Sequence, residues 1–140
     1  GAIKSYIKRS GMRGMNRVTL VGNIGKVPEV KVLEDGTEVA KFSLATTELF
    51  RRKDGEVNAD TQWHTVILWR GLAGLARRFL KKGSLILLEG KIRYRAYEDK
   101  NGVKKNVTEI VGDRLIFLDK RVSGDPLDIV PGADEDPLPF

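Results

Sequence analysis

The chain has no cysteine and a single histidine. Disulfides and thiolate nucleophiles are therefore excluded, and a zinc site has too few of its usual ligands. The missing thiols suit a reducing cytoplasm. No window approaches the roughly 20 apolar residues of a membrane helix, and no apolar signal-peptide core stands near the start, so neither a membrane role nor secretion is expected. Aromatic residues are scarce at 7%, with two tryptophans in all, so their placement carries information. Positive charge is missing from one region only. Asp125, Asp128, Asp134, Glu135 and Asp136 lie in 125–140, which holds no Lys or Arg, and without these five the +6 chain leaves a body, 1–124, at +11. A basic body with an acidic tail points to a polyanion partner and to a segment able to compete for the same surface.

The 140 residues are enough for one domain with its own core. Residues 1–14 show no sustained period and read as an N-terminal extension or cloning remnant that adds basic charge. Asn16–Gly22 alternates and ends at glycine as a strand should. Gly25 and Pro28 mark a turn, and Val30–Leu33 resumes the strand. Asp35-Gly36 predicts a two-residue hairpin, followed by a strand over Val39–Thr47 with Ala40, Phe42 and Leu44 on one face. Phe50–Asp60 reads as a polar loop, and Thr61–Trp69 as a strand rich in β-branched and aromatic residues. Gly71–Leu80 is the one helix, with Leu72, Leu75, Ala76 and Phe79 at helical spacing and a stop at Lys82-Gly83. Strands follow at Ser84–Tyr97, Lys105–Val111 and Leu115–Leu118, separated first by a turn at Asp99–Gly102. Five main strands with one helix between the third and fourth give an all-β fold, the five-stranded Greek-key barrel called the OB-fold.

Two strands carry the functional signal. On Thr61–Trp69, side-chain alternation puts Val66 and Leu68 on a core face and Trp63, Thr65, Ile67 and Trp69 on the other. Both tryptophans thus share a face, about 20 Å apart at roughly 3.3 Å per residue. On Ser84–Tyr97, Ile86, Leu88, Gly90, Ile92 and Tyr94 share one face, while Glu89, Lys91, Arg93, Arg95 and Tyr97 form a cationic ladder on the other. Phe50 beside Arg51, Arg52 and Lys53 repeats the pairing of ring and charge. Unpaired bases stack on such rings for about 1–3 kcal/mol each, without regard to sequence, and the cations between neutralise phosphates. A duplex hides its base faces and would gain little. The plain alternative is that the tryptophans finish a core or a subunit contact.

The segments Asn16-Arg17-Val18-Thr19-Leu20-Val21-Gly22-Asn23-Ile24-Gly25, Pro28-Glu29-Val30, Phe42-Ser43-Leu44-Ala45-Thr46-Thr47, Thr61-Gln62-Trp63-His64 and Leu80-Lys81-Lys82-Gly83-Ser84, with Glu89-Gly90-Lys91, resemble the bacterial single-stranded DNA-binding proteins, the SSB family. The resemblance spans about 15–119 and returns at the last few residues. It implies an OB-fold at 15–119 that assembles as a homotetramer and coats single-stranded DNA in replication, recombination and repair. It implies base stacking by Phe50, Trp63, Trp69 and Tyr97, although Phe50 and Tyr97 stand where tryptophan is common and Trp69 where phenylalanine is. Phosphate contacts are expected from Lys91, Arg93 and Arg95, with Arg51 and Arg52 beside them, while Thr65 stands where an arginine often lies. His64 matches a histidine at the family's subunit interface. A linker at 120–133 then leads to Asp134-Glu135-Asp136-Pro137-Leu138-Pro139-Phe140, which matches the family's acidic tip and is expected to recruit DNA-processing proteins. The linker is short, with a reach of about 20 Å as a flexible chain. No cofactor, metal or catalytic residue is expected, and the location implied is the cytoplasm, at the nucleoid. An RNA-binding OB protein and a metal-dependent nuclease are the rival readings, discriminated by RNA affinity and by strand cleavage with magnesium.

Overall fold

The computed structural model describes residues 13–119. Residues 1–12 of the extension, the linker at 120–133 and the tip at 134–140 lie outside the described residues. Within them the strands are β1 (Val18–Ile24), β2 (Glu29–Val32), β3 (Glu38–Arg51), β4 (Val57–Trp69), β5 (Leu85–Glu98) and β6 (Lys104–Phe117), with α1 (Gly71–Phe79) between β4 and β5. They lie in the order β1-β5-β6-β4-β3-β2, and a further β1–β3 pairing closes the sheet into a barrel. Every neighbour is antiparallel except β4 and β6, which run parallel through Val66↔Ile110 and Ile67↔Val111. Counted with β1 and β2 as one interrupted strand, this is the expected OB barrel with its helix between the third and fourth main strands.

Alternation builds the core. Ala40, Phe42 and Leu44 of β3, Val66 and Leu68 of β4, and Ile86 and Leu88 of β5 point inward and are buried. Each large side chain so buried is worth about 1.5–3 kcal/mol. β6 meets them through Ile110 and Gly112. A Cβ on Gly112 would fall 2.6 Å from Leu68 Cδ2 and 2.9 Å from Leu88 Cδ1, so the missing side chain lets the two leucines close the middle of the barrel. Helix α1 contributes Ala73 and Ala76, with Leu80 just beyond it, to the same cluster. Phe79, expected on that buried stripe, is instead 54% exposed and meets Phe117 edge-on at 5.9 Å. Leu80 takes the inward place, its N–H bonded to the Ala76 carbonyl at 3.0 Å.

Three sequence expectations change. Phe50–Asp60 is not a loop, because β3 runs on to Arg51 and β4 begins at Val57, paired residue for residue down to Arg51↔Val57. The polar composition reflects a hairpin exposed on both sides, not a lack of pairing. The hairpin at Asp35-Gly36 has three loop residues rather than two: Leu33 N–H bonds the Thr37 carbonyl, Gly36 N–H bonds the Leu33 carbonyl, and Gly36 takes a φ of 90°. Arg52–Glu56 repeats this arrangement around Gly55. Finally, the two short last strands are one, β6, whose pairing with β5 shifts register at Glu89/Gly90: Gly90 faces Gly112 and Glu89 faces Arg114, which leaves Asp113 as the extra residue of a bulge.

Candidate functional site

The strand order decides which side chains can act together. Residues paired across a ladder point the same way, so Ile67 of β4, Val111 of β6 and Lys91 of β5 form one row across the outer face of the sheet. The next row on that face holds Thr65, Glu109 and Arg93, two residues back along β4 and β6 and two residues on along β5. From this row outward β4 presents Trp63, and β5 presents Arg95 and Tyr97. Trp69 lies toward the other end, opposite Val39. The tryptophan strand and the cationic strand are not neighbours, yet β6 joins them into a single face.

The rings on that face differ in exposure. Trp63 is 61% exposed and Tyr97 44%, while Trp69 is half-buried. Ile67, expected to lie open between the tryptophans, is buried, so the face is interrupted at its centre. Trp63 lies against the turn after β1, where a Cβ on Gly25 would come within 2.7 Å of its Cζ3. Glycine there gives the indole a flat seat. Arg51 falls on the same face by alternation, its Nη1 donating to the Gly55 carbonyl at 3.1 Å, whereas Arg52 sits in the turn. Phe50 does not join them. It pairs with Asn58 on the side of the ladder that carries Leu44 and Val66 in the barrel, and there it lines a shallow depression with Glu48, Leu49, Ala59 and Asp60.

The cationic ladder contains a residue that the sequence reading missed. Glu109 is 1% exposed, the sole buried charged side chain among the described residues. Arg95 grips it in a fork, Nε donating to Oε1 at 3.1 Å and Nη2 to Oε2 at 2.7 Å, and Arg93 Nη2 donates to Oε1 at 3.0 Å. Hydrogen bonding from Arg95 first, then from Arg93, holds the Glu109 carboxyl down at about 2 against the raising effect of burial. The same partnership pushes Arg95 further up. Arg95 also lies over the Tyr97 ring, 5.8 Å from its centroid. Elsewhere on the strand, Glu89 is engaged by Arg17 at 3.8 Å and by Arg114 at 3.4 Å. The signal for Glu109 was present in the sequence as one acidic residue inside an otherwise neutral strand segment, Val107–Ile110. It becomes meaningful only with the register Arg93↔Glu109.

His64 is half-buried, its Nε2 2.9 Å from the Thr46 hydroxyl, on the core side of β4 and away from the tryptophans. Among the described residues no three His, Asp or Glu side chains converge as metal ligands, and no helix is long and apolar enough to cross a membrane. The arrangement as a whole offers rings and guanidiniums side by side on an open sheet. It suits a flexible, flat-faced polyanion.

Comparison with known proteins agrees. The profile of the single-strand binding protein family matches residues 15–118. Single-stranded DNA-binding protein 1 of Xylella fastidiosa (strain 9a5c) is 38% identical over 132 residues, covering 89% of this chain and 96% of that one. The mitochondrial single-stranded DNA-binding protein of Rattus norvegicus is 39% identical over 122 residues, 82% of this chain and 81% of its own. Among solved structures, the Plasmodium falciparum SSB complex with ssDNA superposes with a TM-score of 0.67 at 33% identity, over 76% of this chain and 97% of that one.

Proposed function

Because the chain belongs to the single-strand binding protein family, we propose that it coats single-stranded DNA without regard to sequence, in replication, recombination and repair. The observation that carries this reading is the strand order β5-β6-β4, which sets Trp63, Trp69 and Tyr97 on one face with Lys91, Arg93 and Arg95. The rings stack bases and the cations hold the backbone, with Arg51 and Arg52 extending the cationic edge toward the hairpin tip. Phe50 stacks on the far side of that hairpin, where the strand passes around it. The protein acts by binding, with no reaction of its own, in the cytoplasm at the nucleoid. It assembles as a homotetramer in which His64 and its Thr46 partner lie at a subunit contact. The tip at 134–140 recruits replication and repair proteins, through the Phe140 ring, steered by Asp134, Glu135 and Asp136.

The deciding experiment is tryptophan fluorescence during titration with oligo-dT, against a duplex of equal length and an RNA oligomer, over a salt series. Strong quenching and binding by dT alone is the expected result. Equal duplex binding with little quenching would reduce the face to a generic basic surface. Equal affinity for RNA would move the protein to the RNA-binding class.

A further inference from the structure

Arg93 and Arg95 look in sequence like two independent cations, but in the structure they share one buried carboxylate. The three hydrogen bonds to Glu109 leave the trio a net charge of one. Arg95 spends both arms of its fork on Glu109, and its guanidinium is fixed over Tyr97. Arg93 is held by one arm, and its Nε is buried without a partner among the described residues. Both side chains nevertheless stay open to solvent, at 41% and 45% exposure. Glu109 sits beneath them at 1% exposure, out of reach of a strand arriving from outside. A carboxylate placed to weaken an anion-binding face needs an explanation. A fixed guanidinium loses less side-chain freedom when a phosphate arrives than a free one does, and Arg gains more than Lys from such fixing because its donors are planar.

We propose that Glu109 is a positioning residue for single-stranded DNA: its buried carboxylate locks Arg93 and Arg95, and through Arg95 the Tyr97 ring, into one rigid platform that takes a single phosphate beside a stacked base. The proposal rests on the DNA-binding reading above and adds an element to it. It trades charge for order, so the face binds less steeply with salt than its count of cations implies. Each phosphate contact on a single strand contributes a slope of about −0.7 in log K against log salt.

The test is that slope, measured on the full chain with oligo-dT. Glu109→Gln frees both arginines, and its line should steepen by about 0.7, an extra loss of about fivefold in affinity per tenfold rise in salt. It should bind more tightly than the wild type at low salt and more weakly at high salt. An unchanged slope in a folded Glu109→Gln protein, with normal wild-type binding, overturns the proposal and leaves the DNA-binding reading intact. Should that variant fail to fold, Arg95→Lys serves: it keeps the charge but loses the fork, and severalfold weaker binding at unchanged slope is expected. Wild-type affinity in Arg95→Lys would count against positioning. Slow guanidinium rotation of Arg93 and Arg95, read by nitrogen NMR without DNA, is expected in the wild type, and fast rotation would overturn the lock. A wild type that does not prefer dT over duplex removes the functional reading itself, and this inference with it.

Discussion

The barrel and its two projecting hairpins are made of the same strands but obey different rules. In the barrel, alternate residues of β3, β4 and β5 are buried with almost no exposed area. Along the β3–β4 arm, from Thr47 to Trp63, every residue but Asn58 is exposed, and from Tyr94 to Thr108 every residue but Asp99 and Val107 is. Tyr94 shows the change best. It is in phase with Ile86, Leu88 and Ile92, yet is 74% exposed, because no second layer covers the arm. Alternation states which side chains share a face; whether that face is buried depends on what lies across from it. The arms gain their order from cross-strand pairs and glycine turns, and keep both faces available to a ligand.

The contrast is broken most directly in the barrel. Leu68→Ala is expected to cost about 2–5 kcal/mol in urea or thermal unfolding, whereas Leu49→Ala, 71% exposed on the arm, should stay within about 0.5 kcal/mol. Similar costs at the two sites would mean that the arm packs against something in solution, such as a second subunit. Binding should reverse the ranking. Trp63→Ala is expected to lose about 1–3 kcal/mol with any oligo-dT, the worth of one stacked base. Phe50→Ala should matter only with longer strands, since a strand of about 8 nucleotides covers one face and Phe50 lies on the other. Equal losses on short oligomers would show that a strand reaches both sides of the arm at once.

Acid sharpens the comparison at the place where barrel and arm meet. Glu109 titrates at about 2 when folded, against an ordinary 4.5. A depressed carboxylate stabilises the fold above its unfolded value and loses that contribution as pH falls from about 4.5 to about 2. The groups facing it are Arg93 and Arg95, which stay charged throughout. Wild-type stability should therefore fall more than that of Glu109→Gln over this window, by on the order of 1–2 kcal/mol given the solvent exposure of both arginines. Parallel curves for the two proteins would mean that the ion pairs contribute nothing net.

Much of this was legible beforehand. The order of strands, the helix, the inward phase of Phe42, Leu44, Val66 and Leu68, and the shared face of Trp63 and Trp69 all follow from periods of two and 3.6. Hidden from it were features set by contacts between distant segments. Glu109 needs the β5–β6 register to meet its arginines. Gly112 needs Leu68 and Leu88 before its missing Cβ has a purpose. Phe50, read in a loop, had no face assigned because a loop has no phase, and only the continuous pairing of β3 with β4 sets it on the side away from the tryptophans. Arg70, the sole non-glycine with positive φ among the described residues at 56°, gave no sign in the sequence of the sharp turn it makes into α1.

The smallest expected effect concerns how the barrel aims a side chain at the arm's ligand. Gly25 donates its N–H to the Ser43 carbonyl at 3.0 Å, so its backbone is fixed by the barrel. The Trp63 ring, on the next strand but one, rests where a Cβ of residue 25 would be. Gly25→Ala therefore has one inexpensive outlet: the atoms met first are the far edge of an exposed ring, which can swing outward without disturbing the core. The expected cost in stability is under about 1 kcal/mol, since no buried leucine has to move. Tryptophan emission should shift to the red as the ring leaves its seat, and dT binding should weaken severalfold because the ring must be re-ordered for each base it stacks. Unchanged emission and affinity would mean that the backbone at the turn yields instead. The ring would then be held by β4 alone, and the barrel would have no part in aiming it.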